Sequence, residues 1–446
     1  MAKIPFHRKV LPWMFTIIFI IIAPALVFYT SGYRWNPKKH AIERNGTLII
    51  DTLPTGASIK LNGQNIPETT SVTLQNMAPG NYNIELNLNG YHPWSKTLWV
   101  EPERVTFASE IILWPDVSPQ LMSETNVEHI FSDSDAGLSL VVSNEADGST
   151  SFGEVDKNGQ IIKRVTTKEN ITISDVNWNP YDNKRVLVQG NVSSTSGNWL
   201  VQTSPPLVSK IPDGIFHWES NGLVGYTPDD QFSIRSDQSV ERQEKPANLK
   251  DAYGGWKIQE LPQATGLILV QGDNAKQGLV LPPGQWRLWY QKNGSVILRE
   301  QNHWLWMDTN QAQSVSRQAT GDWLLPIIYK KQIQFVYKNN NEAWVWLAGQ
   351  EPQLIYRQSD PLVNVSWHAE GRDVMVATKQ EVLMFSLDDR NGRNKTVLAT
   401  FDEIKDAAII DNFVYIAGRK DNKSGFWRLP LSLKTSTFSP LGKLGF

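Results

Sequence analysis

In the second half of the chain, paired apolar strands recur at a spacing of about forty residues. Trp304-Leu-Trp306-Met and Trp344-Val-Trp346-Leu begin 40 residues apart, Leu383-Met-Phe385-Ser follows 39 later, and Gly425-Phe-Trp427-Arg continues the series. Each is preceded by a second strand-like run: Ser295-Val-Ile-Leu, Ile333-Gln-Phe-Val, Asp373-Val-Met-Val-Ala and Phe413-Val-Tyr-Ile. Short apolar runs separated by Asn, Asp, Gly and Ser make a sandwich, a barrel or a propeller. Self-similarity at a fixed period favours the propeller over a pair of β-sandwiches, because each unit is one small sheet whose faces need neighbours to cover them. Read as four strands per unit, the segments begin near Val127, Ile171, Ile215, Trp256, Trp286, Trp323, Val363 and Ala407. That makes eight blades; the units near 256 and 286 are the least regular, so seven is the alternative. The last unit lacks a final strand, which Gln120-Leu-Met-Ser123 can supply, closing the ring and leaving only short, protected edges.

The other extreme of the chain reads differently. From Val10 to Tyr33 no residue is charged, and the centre is FTIIFIIIAPALVF. A helix from Val10 to Thr30 spans about 31 Å, the thickness of a hydrocarbon core of ~30 Å. Pro12 falls near its start, Pro24 is placed to kink it, and Trp13, Tyr29, Tyr33 and Trp35 fall at the two interfaces, where amphipathic rings partition. Ala23-Pro24-Ala25 has the small residues of a signal-peptide cleavage site, but the apolar run continues through Leu26-Val27-Phe28, which favours an uncleaved anchor. The expected layout is a tail over 1–9 and a transmembrane anchor helix over 10–33. Basic residues flank both ends, so charge alone does not orient it. Residues 1–39 carry a local charge of +6, which leaves the remainder at −8. A mildly acidic body lacks the electrostatic footprint of nucleic-acid binding, so nucleic acid is excluded as the main partner.

Between these regions lies a third pattern. Tyr82, Ile84, Leu86 and Leu88 alternate with Asn83, Glu85, Asn87 and Asn89, and Ala57, Ile59 and Leu61 alternate up to Asn62-Gly63, a strong hairpin signal. Pro79-Gly80 and Asn89-Gly90 mark further turns. The expectation is a small antiparallel sheet over 46–113 with one buried face. Gly46-Thr-Leu-Ile-Ile, Leu53-Pro-Thr-Gly-Ala-Ser-Ile-Lys-Leu-Asn-Gly63, Ala78-Pro-Gly-Asn-Tyr82 and Asn89-Gly-Tyr91 resemble the PEGA domain. Thr55 stands where the Glu of the eponymous stretch would be, a small departure because the turn needs Pro and Gly geometry rather than a carboxylate. The resemblance implies a non-enzymatic all-β module of bacterial and archaeal envelope proteins, often beside a transmembrane helix. It also implies that the C-terminal body, reached through a linker over 114–119, faces outward. The body itself, 120–446, resembles WD40-like and TolB-like propellers in its aromatic, loop, turn and strand arrangement, although no WD dipeptide is present.

Chemistry is sparse. With no cysteine there is no disulfide, thiolate metal site or cysteine nucleophile. GxxxxGK[ST], HExxH, GxSxG and a complete EF-hand loop are absent. Asp133-Ser-Asp135-Ala-Gly137 lacks the third ligand of a calcium loop and reads as a solvated turn. The seven histidines are scattered; His217 and His368 flank Trp218 and Trp367 in comparable positions, a repeat of packing rather than a metal pair. Asp229-Asp230 and Asp388-Asp389 fall in turn contexts. No catalytic, cofactor-binding or metal-ligating residues are assigned. Trp304, Trp306, Trp344 and Trp346 are the candidate ligand-contact aromatics: by default inter-blade core, but a carbohydrate platform if exposed. The sequence thus leads to a membrane-anchored, extracytoplasmic cell-envelope protein, with its N-terminus in the cytoplasm. It would bind or scaffold a wall polymer or an envelope protein and is not an enzyme. A polysaccharide hydrolase or lyase is the alternative.

Overall fold

The computed structural model describes every residue except 1–5, 31–32, 37–40, 134–137, 157, 180, 183, 236, 238, 262–265, 273–277, 293, 309–314 and 434–446. The calcium-like loop therefore lies largely outside the described residues. Two compact units divide the chain near Val117, with Asp388–Asn394 grouped with the first.

The first unit opens with helix α1, Phe6–Thr30. It starts four residues before the expected boundary, so Pro12 sits inside it, and it ends three residues before Tyr33. The one helix long and apolar enough to cross a membrane among the described residues is its Trp13–Thr30 segment, none of it buried within the protein. Strands β1 (Tyr33–Asn36) and β2 (Ala41–Arg44) form a hairpin. Seven more follow: β3 (Gly46–Leu53), β4 (Ser58–Leu61), β5 (Gln64–Thr69), β6 (Val72–Met77), β7 (Gly80–Asn87), β8 (Trp94–Val100) and β9 (Val105–Ile112). They make two sheets, in the orders β6-β3-β9 and β5-β4-β7-β8, rather than one. The pairing is antiparallel except between β3 and β9, which run parallel with Thr47 opposite Val105. The chain between these two strands builds the second sheet, a connection long enough to return in the same direction. Leu48 and Ile50 meet Ile59, Ile84, Leu86, Leu98 and Val100 in a single core, so the strand alternation read from sequence is the packing alternation. At Asn62-Gly63 both residues take positive φ, 51° and 79°, the geometry of the tight turn that suits strand twist and that Asn and Gly adopt at least cost. Trp114 and Pro115 of the proline-rich linker are buried, and the Trp114 carbonyl accepts the His92 N–H at 2.8 Å.

The second unit holds eight four-stranded antiparallel sheets. Their first strands are Val127–Asp133, Ile171–Trp178, Ile215–Glu219, Leu249–Tyr253, Arg287–Lys292, Trp323–Tyr329, Asn364–Trp367 and Glu403–Ile410, blades 1 to 8. Blade 8 is completed by β10 (Gln120–Ser123), which pairs with Lys423–Pro430 and so joins the start of the ring to its end. First strands touch one another at four of the boundaries, between blades 4 and 5, 6 and 7, 7 and 8, and 8 and 1. Two boundaries differ from the sequence reading: Trp256 opens the second strand of blade 4, not the first, and Ala407 lies four residues inside the first strand of blade 8. Leu249-Lys-Asp-Ala-Tyr is hard to recognise as a strand because an aspartate occupies its most buried position.

That aspartate has a structural task. The bulge in the first strand of blade 4 turns Asp251 towards its neighbours: one carboxylate oxygen accepts the Leu288 N–H of blade 5 at 2.6 Å, and the other meets His217 Nε2 of blade 3 at 2.7 Å. Asp406, at the matching bulge of blade 8, accepts the Ile130 N–H of blade 1 at 3.0 Å and the Asn364 amide of blade 7 at 2.8 Å. Indoles repeat the device. Trp218 donates to the Asn177 carbonyl one blade back at 3.0 Å, and Trp367 to that of Leu325 at 3.1 Å. The two histidines noted beside these tryptophans are buried, and His217 is stacked on Tyr253.

Candidate functional site

Two of the cavities among the described residues lie within the propeller. The smaller, about 30 Å³, is lined by Asp175, His217, Arg287, Trp289 and Arg299 among first-strand and neighbouring residues. Arg299 of blade 5 donates to Asp175 of blade 2 at 2.6 Å. Burial raises the Asp175 carboxyl, and the arginine opposes the shift. A space that size holds about one water, so it is no route for a ligand.

The larger cavity, about 580 Å³, opens between blades 5 and 6. Blade 5 contributes His303-Trp304 at the start of its third strand, Glu300 at the end of its second, and Gln318, Ala319 and Thr320 at the end of its fourth. Blade 6 contributes Tyr337 and Asn339 from its second strand and Trp344 from its third. Trp286, Glu351 and flanking prolines complete the wall. Strand register explains the aromatic side: Tyr337 and Trp344 are directly opposed across one antiparallel pair, and their rings stack with centroids 6.3 Å apart and planes 6° from parallel. The Trp344 indole N–H is satisfied by Glu342 at 2.9 Å, and Glu342 is held in turn by Arg357 at 2.5 Å. Trp304 is buried, donates to the Gly321 carbonyl at 2.8 Å and carries the Arg299 guanidinium 4.8 Å over its face. Burial, and then the neighbouring Glu342 charge, push the Tyr337 phenol well above its ordinary range, so it stays a neutral hydroxyl.

The four candidate tryptophans thus divide. Trp304 and Trp344 line the cavity. Trp306 and Trp346 do not: they pack edge to face at 5.3 Å inside the inter-blade core, on Phe335. Sequence reading missed Tyr337, although its place two residues after Phe335 and across a short turn from Trp344 was a usable signal. Glu300, His303, Gln318, Asn339 and Glu351 come from four separate stretches of chain and carried no signal of their own.

The wall has the makeup of a ligand pocket of ordinary size: aromatic faces with a few convergent polar groups. Its two carboxylates are held by different partners. Glu300 accepts the Gln285 N–H at 2.6 Å, and Glu351 is largely exposed, 3.8 Å from Arg317. Asp230 and Asp388 serve turns and ion pairs, with Arg242 and Arg390 respectively. Among the described residues no group of three or more His, Asp or Glu is placed to hold a metal ion.

Comparison with known proteins gives the following. The PEGA domain family matches residues 45–110. No curated protein matches the chain. Among solved structures the chain is similar to the Dos1 propeller, at 10% identity and a TM-score of 0.44, covering 71% of this chain and 95% of that one. It is also similar to the Cps50 (Swd1) β-propeller domain of Myceliophteria thermophila, at 8% identity and a TM-score of 0.39 over 70% of this chain and 98% of that one. A third is Hsv2 of Kluyvelomyces marxianus, at 10% identity and a TM-score of 0.36, covering 61% and 97%. The blade count rests on the sheet topology described above.

Proposed function

We propose that the protein is a membrane-anchored, extracytoplasmic binding protein whose propeller holds a saccharide segment of an envelope polymer between blades 5 and 6. The observation that carries the reading is the cavity of about 580 Å³ with stacked Tyr337 and Trp344 on one side and Glu300, His303, Gln318 and Asn339 nearby. Ring faces suit the apolar face of a sugar, and amide, carboxylate and hydroxyl groups suit its hydroxyls. The PEGA match and helix α1 support placement at a membrane, with the N-terminus inside. Binding rather than turnover is favoured because Glu300 is occupied by a backbone amide and Glu351 faces solvent, whereas a glycosidase needs an acid and a base facing each other across the bond.

The test is co-sedimentation of the full chain with insoluble envelope polysaccharide, followed by assay of the supernatant for new reducing or unsaturated ends. Retention without new ends is the expected result. New ends would replace the reading with the hydrolase or lyase, and absence of retention would remove the polymer.

A further inference from the structure

Between residues 44 and 117 the exposed large apolar side chains are three: Trp99 at 53% exposed, Val105 at 45% and Phe107 at 50%. All lie near a single connection, Glu101-Pro-Glu-Arg104, which joins β8 to β9. That connection is tied to the end of the helix. Phe28 of α1 packs edge to face on Tyr33 at 5.1 Å, the Arg44 guanidinium lies 4.5 Å over the Tyr33 ring, and Arg44 is ion-paired with Glu103. Backbone bonds hold the same place: the Thr47 N–H donates to the Arg104 carbonyl at 3.0 Å, and the Glu103 N–H to that of Asn45 at 3.1 Å.

We propose that this corner of the module rests on the bilayer that holds α1, with the Trp99 indole and Val105 in the interfacial zone and Arg104 at headgroup level. The inference rests on reading α1 as a membrane anchor. Val105 follows Glu103 by two residues, at most ~7 Å of chain, so the side chains lie within reach of the plane in which the helix ends. Indole partitions to that plane, and the headgroup level suits a charged side chain such as arginine. The Arg104 side chain is 74% exposed and paired with Glu101 at 2.7 Å, so both ends of that pair are open to solvent at the corner. The opposite end of the β7–β8 hairpin, at Asn89-Gly90, carries no comparable group.

Because the chain has no cysteine, single-cysteine variants of the full protein report one position each. Ile20→Cys, Val105→Cys and Asn89→Cys are labelled with an environment-sensitive fluorophore and reconstituted in vesicles of equal parts phosphatidylcholine and phosphatidylglycerol, with and without brominated acyl chains. Quenching at 20 and at 105, with a blue shift at 105 and neither effect at 89, is the expected result. Quenching at 20 alone overturns the bilayer contact and leaves the anchor standing. No quenching at 20 overturns the anchor and the contact with it. Equal quenching at 89 and 105 also overturns the contact, since the label would then report no particular corner. Phe107→Cys serves as a second reporter if Val105→Cys fails to fold.

Discussion

The two units solve the same burial problem in opposite ways. The PEGA-matching module has one core, in which Ile84 and Leu86 of β7 face Leu48 and Ile50 of β3. The propeller divides its core among several clusters, each filling the gap between neighbouring blades, as Trp306, Phe335 and Trp346 do between blades 5 and 6. A blade buries nothing unless its neighbours are in place, so blade-to-blade clamps and ring closure matter as much as packing. The difference also explains where a pocket forms. A single core closes on itself, whereas a gap between two sheets opens wherever the packed layer stops.

That contrast yields tests of decreasing size. Asp251→Ala removes a buried acceptor shared by three blades and strands the Leu288 N–H and His217; the expected cost is about 3–5 kcal/mol of propeller stability, read by denaturant unfolding. Leu86→Ala should cost about 3 kcal/mol but confine its effect to the module, so calorimetry should show one transition move and the other stay. Coincident shifts of both would break the comparison.

A third test uses pH. Burial, with Arg372 nearby, lowers His368 from 6.5 to about 4, and burial raises the adjoining Asp373 from 3.8 to about 7. Below pH 6.5 the unfolded chain binds a proton that folded His368 refuses, so this group's contribution is lost as pH falls to 4. Folded Asp373 instead holds a proton that the unfolded chain releases, so its contribution is lost as pH rises from about 4 to 7. His368→Gln removes the first effect, on the order of 3 kcal/mol at pH 4, and leaves stability that declines with rising pH across the window. Urea midpoints from pH 4 to 7 decide it; an unchanged profile would contradict the assignment.

Much of this contrast could be read from residues. Alternation in 82–88 and the Asn62-Gly63 turn are local signals, and they became β7 and the β4–β5 hairpin. The forty-residue recurrence gave the blades, and the missing last strand pointed to Gln120–Ser123. What stayed hidden was non-local. The parallel partnership of β3 with β9 needs register across the whole second sheet, and the first strand of blade 4 carries a buried aspartate where an apolar residue was sought. The cavity was half visible because one face of a strand does not reveal where a neighbouring sheet ends: Trp304 and Trp306 share a face, yet only Trp304 reaches the opening.

The central claim is that the gap between blades 5 and 6 is the binding site. Isothermal titration of the full chain with soluble fragments of envelope polysaccharide, set beside Trp344→Leu and Gln318→Ala chains of unchanged circular dichroism, tests it most directly. The account predicts binding by the unaltered chain and a loss of at least ~10-fold for Trp344→Leu, about 1.4 kcal/mol, with a smaller loss for Gln318→Ala. Equal affinity in all three chains would contradict it.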